Sequence, residues 1–71
     1  MIHPATVRLP VSQRLILRSL LSRIGTTKAP AALGASRGSL ERAAGGLPIR
    51  YGTALAIQAA LERLPAEERK P

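Results

Sequence analysis

The chain has no cysteine, no tryptophan and no phenylalanine, and Tyr51 is its single aromatic residue apart from His3. Without cysteine there is neither a disulfide nor a thiolate metal site, which fits a reducing cytoplasm. Without large aromatic side chains the core must be aliphatic, and in 71 residues it is thin. A domain of this size buries only about 60% of the surface its unfolded chain exposes. A thin core makes self-association favourable. His3 is the only histidine and stands near the start of the chain, so histidine-based metal or catalytic chemistry has little to draw on. No apolar run approaches the roughly 18 residues of a membrane span.

Acidic residues are the other scarcity. Four Asp and Glu stand against 11 Lys and Arg, for a net charge of +7. Lys28 and Lys70 are the two lysines, so nine of the eleven bases are arginine. The imbalance is confined to the front of the chain. Residues 1–50 hold eight bases and only Glu41, whereas residues 51–71 hold three charges of each sign. A basic front and a neutral rear imply a surface that faces a polyanion, with nucleic acid first and an anionic membrane second. An arginine-rich, serine-containing segment without acid before Glu41 also describes a mitochondrial transit peptide. The pattern runs on into a turn-and-helix unit that a removable presequence does not need, which argues against that reading.

Residues 1–11 read as an N-terminal arm bounded by Pro4 and Pro10. Within it Thr6 to Leu9 alternates weakly, the pattern of an edge strand able to pair with a second chain, although a loose tail is the plainer expectation. Ser12 is placed to cap a first helix through Ile24, with Leu17, Leu20, Leu21 and Ile24 on one stripe. Arg14 and Arg18 share a face, Arg23 sits near the helix C-terminus, and Gly25 is a natural stop. Thr26 or Thr27 caps a second helix to Leu33, which Pro30 threatens to distort or delay. Ser36 caps a third helix, Arg37 to Ala44, ended by Gly45 and Gly46. The segment from Leu47 to Gly52 reads as a loop. Thr53 then caps a fourth helix in which Ile57, Leu61 and Leu64 repeat at i, i+4 and i+7. Residues 65–71 read as a polar tail. There is no internal repeat and no low-complexity block. The expected fold is all-α, a small bundle of about four short helices, with the domain over residues 12–64.

The third helix carries the functional signal. Projected at about 100° per residue, Arg37, Gly38, Glu41 and Arg42 fall on one arc, and Leu40, Ala43 and Ala44 fall opposite. A helix with a polar outer arc, two arginines and an apolar inner face is laid out to enter a major groove. The stretch from Leu33 to Arg42, LGASRGSLER, resembles the turn and recognition helix of bacterial and phage helix-turn-helix DNA-binding regulators. Those families show a Leu-Gly-small-Ser-Arg-x-(Thr/Ser)-aliphatic-x-Arg pattern. The helices expected before and after it make the chain similar to the lambda-repressor-like and Cro-like group. It departs from the group at Pro30, where the motif usually has a buried alanine, and in lacking a fifth helix.

The resemblance implies base reading at Arg37, Gly38, Glu41 and Arg42, and phosphate contacts at Ser36 and Ser39. Read from the residues alone, Arg42 either reaches guanine O6 and N7 by a bidentate contact or meets a phosphate; base reading is the expectation here. Glu41 either accepts from cytosine or, four residues from Arg37, orients that arginine, and orientation is the plainer role. Gly38 lets the backbone approach closely and reads nothing itself. Arg23, Lys28 and Arg50 are further phosphate candidates, each with ordinary surface charge as the bland alternative. Tyr51 is expected to pack on the fourth helix.

No serine or glutamate has a histidine or lysine arrangement that would make a nucleophile–base pair. No catalytic residue, metal ligand set or cofactor is expected, and the chain does not read as an enzyme. The expectation is a cytoplasmic, nucleoid-associated DNA-binding repressor. It would be a homodimer on double-stranded DNA with an inverted-repeat operator, with no small-molecule effector and no membrane. The alternatives are a small protein-interaction module whose basic face meets an acidic partner, and a membrane-surface protein built on the helix from Ser12 to Ile24.

Overall fold

A computed structural model describes residues 5–69, and His3, the first residues of the expected arm and the last two of the expected tail lie outside that range. The described chain is mostly helical. The elements are β1 (Thr6–Val7), α1 (Val11–Leu33), α2 (Arg37–Ala44), β2 (Ile49–Arg50) and α3 (Tyr51–Glu62), with a 3-10 turn over Ala66–Glu68.

The first two expected helices form one element, α1, interrupted at Gly25, whose φ of 81° and ψ of 157° are not helical. A left-handed φ is costly for any residue with a Cβ, so glycine is the residue that allows the kink. Pro30 lies inside this element, five residues beyond Gly25, and has no amide to donate to the Thr26 carbonyl. The helix ends at Gly34, which is left-handed (φ 68°, ψ 29°) and donates its N–H to the Pro30 carbonyl at 2.9 Å. Ser36 follows as the cap of α2, its hydroxyl oxygen accepting from the Ser39 amide at 3.2 Å.

Three local expectations are revised. α1 begins at Val11 with Pro10 in the capping position, not at a Ser12 cap. α3 begins at Tyr51, two residues before Thr53, and no side chain caps it. The Tyr51 amide instead donates to the Ala5 carbonyl at 3.2 Å, so the arm backbone satisfies one of the amides a cap would serve. The supposed loop from Leu47 contains β2, which pairs antiparallel with β1, Thr6 opposite Arg50 and Val7 opposite Ile49. Thr6 and Val7 are therefore strand-paired within the chain, in place of the loose tail that is the plainer sequence expectation and not with a second chain.

Thirteen buried apolar residues form one core, drawn from the three helices, β2 and the arm residue Leu9. Leu17, Leu20, Ala29 and Leu33 come from α1, Leu40, Ala43 and Ala44 from α2, and Ala54, Ile57, Ala60 and Leu61 from α3. Leu9 and Ile49 close it from the arm and ribbon sides. Arg14 locks the arm down, its Nε donating to the Leu9 carbonyl at 2.9 Å. Gln58 donates to Gln13 at 2.9 Å, tying α3 to α1. No charged or polar residue is buried among the described residues.

Candidate nucleic-acid interface

The geometry of α2 follows from its sequence. Leu40, Ala43 and Ala44 are buried against the core, which fixes the rotation of the helix. That rotation leaves Arg37, Gly38, Glu41 and Arg42 all exposed. The Arg37 Nε donates to Glu41 Oε1 at 2.9 Å, and both side chains are more than half exposed. In this geometry Glu41 orients Arg37, since an i,i+4 pair on a helix surface lies within reach. Gly38 is open: a Cβ built there meets nothing within 4 Å.

Arg42 is oriented differently. At about 100° per residue it stands at the edge of the exposed arc, next to Ser39, and its Nη2 donates to the Pro48 carbonyl at 3.3 Å. It lines a groove of about 260 Å³ together with Thr6, Ser39, Pro48, Ile49 and Arg50. The groove runs between α2 and the β1–β2 ribbon. Directly opposed residues of an antiparallel pair share a face, so Thr6 and Arg50 point outward while Val7 and Ile49 point to the core. Sequence reasoning missed this cleft because it depends on a pairing between segments more than forty positions apart.

The remaining candidates divide. Ser36 and Ser39 sit at the start of α2, Ser36 donating its hydroxyl to Ser39 Oγ at 3.0 Å. Lys28 is exposed on α1, beyond the Gly25 kink. Arg23 is engaged by the 3-10 turn. Its Nη2 donates to the Glu68 carbonyl at 2.9 Å, and its Nη1 lies 3.8 Å from Glu68 Oε1. The 3-10 turn thus brings an acid to Arg23 from a segment that reads as a polar tail.

Leu17 and Leu20 of α1 and Ile57 and Leu61 of α3 are buried, whereas Val11 and Leu15 of α1 and Leu55 of α3 are exposed. No helix among the described residues is long and apolar enough to cross a membrane. No family model, curated protein or solved structure matches the chain.

Proposed function

We propose that the protein is a sequence-specific DNA-binding regulator in which the second half of α1, the turn Gly34–Ser36 and α2 act as a helix-turn-helix. α2 enters the major groove, and the protein works as a homodimeric repressor on an inverted-repeat operator. The observation that carries this reading is the division of α2: its apolar side is locked into the core while Arg37, Gly38, Glu41 and Arg42 stand together in solvent. A helix of eight residues is about 12 Å long, comparable with the roughly 12 Å width of the major groove. It can read only a few base pairs, so two copies are needed for a useful site. Half-sites about one helical turn apart follow from that symmetry.

Charge supports the same reading. The net +7 is concentrated before residue 51, and neutralising phosphates with Lys and Arg supplies most of the sequence-independent affinity for a duplex. Ser36, Ser39 and Arg50 lie beside the α2 arc and Lys28 is exposed on α1, and all four serve as backbone contacts. Arg23 is the weakest of these candidates, because Glu68 already engages it.

Arg37 tests the assignment. On the preferred duplex, Arg37→Ala relaxes discrimination at one base position by about 1–3 kcal/mol. Lys28→Ala weakens binding by the same factor on every sequence. Competition binding against single-base variants of the site distinguishes the two, and uniform weakening by Arg37→Ala contradicts the base-reading role.

A further inference from the structure

The cleft beside α2 has a composition that the helix alone does not explain. Four of its six lining residues carry hydrogen-bond donors, the guanidinium groups of Arg42 and Arg50 and the hydroxyls of Thr6 and Ser39, and none is acidic. The only acid in the first fifty residues, Glu41, is turned away to Arg37. Ser39 Oγ already accepts from the Ser36 hydroxyl, which leaves its own proton to donate. The Pro48 carbonyl holds the Arg42 guanidinium against the ribbon side, leaving its other N–H groups available. At about 260 Å³, the groove has room for a group larger than one water molecule. A donor-rich, acid-free cleft with two guanidinium groups has the chemistry of a tetrahedral oxyanion site.

We propose that this groove seats one backbone phosphate of the bound duplex, with Arg42 and Arg50 as its charged ligands and Thr6 and Ser39 as neutral donors. The inference rests on the DNA-binding reading and refines it. Arg42 becomes a phosphate ligand and not a base reader, and specificity passes to Arg37 with Glu41. The ribbon, for which sequence patterning gives no function, becomes part of the interface. It carries Arg50 to the flank of α2 by pairing Thr6 with Arg50.

The test uses the full chain with Arg42→Gln, Arg50→Gln and the double variant, each checked for fold by circular dichroism and thermal melting. Both side chains are exposed, and Arg50→Gln leaves the Arg42–Pro48 contact in place, so at least one variant reports binding without disturbing α2. Affinities are measured for the preferred duplex and a scrambled duplex over a salt series. The expected result is equal weakening on both duplexes, with the salt slope falling by about 0.9 per arginine removed. A scan with single neutral methylphosphonate linkages then locates the seat. The wild type loses affinity at each contacted linkage, and at one of these per half-site the double variant is insensitive. A changed base preference in Arg42→Gln, or a double variant as sensitive as wild type at every linkage, overturns the groove assignment while leaving the DNA reading intact. Failure of the wild type to bind any duplex overturns both.

Discussion

Gly38 is the residue whose presence most needs a reason. It stands inside the first turn of α2, where glycine costs roughly 0.5–1 kcal/mol relative to alanine. Its φ is not in the left-handed region, and a Cβ there would meet nothing within 4 Å. Neither backbone conformation nor packing demands it. Between the Arg37–Glu41 pair on one side and Arg42 on the other, the missing side chain leaves a shallow saddle on the exposed arc. In the proposed function, close approach of a duplex to the α2 backbone gives that saddle a use. Gly38→Ala is therefore expected to raise the unfolding free energy by about 0.5–1 kcal/mol while weakening duplex binding. Denaturant unfolding and equilibrium binding on one preparation check both halves, and unchanged affinity contradicts the close-approach account.

Elements show how far local signals reach. α2 and its cap were legible because Ser36, the apolar trio Leu40, Ala43 and Ala44, and the glycine pair Gly45 and Gly46 all lie within eleven positions. The break at Gly25 was legible for the same reason, as was the exposed arc of the candidate site. The ribbon was not, since each strand has two residues and its stability comes from a partner distant in sequence. Thr53 looked like a helix cap, yet the chain enters α3 directly from β2 and the Ala5 carbonyl takes the first amide. The groove inherits that same illegibility. Leu9 makes the role of the arm measurable. At 1% exposure it is as deeply buried as Leu40, and truncating a buried leucine typically costs about 2–5 kcal/mol. Leu9→Ala is expected to lower stability within that range in chemical denaturation. A change within a few tenths of a kcal/mol, the behaviour of a loose tail, contradicts the packing of the arm.

At the scale of the whole molecule, a core of thirteen aliphatic residues is closed by three helices, a two-stranded ribbon and the arm. With no charged side chain buried among the described residues, the basic residues are a surface property and contribute to long-range attraction for polyanions. The molecule extends 35 × 23 × 18 Å, and in the proposed function one copy would present a single short reading helix and a dimer two. The central claim is that α2 reads base sequence from such a pair. It is tested most directly by selection of binding sites from a random duplex pool, followed by sizing of the complex with the selected duplex. The account predicts an inverted repeat with half-sites about one helical turn apart, bound by two copies of the chain. Binding with no sequence preference would contradict it.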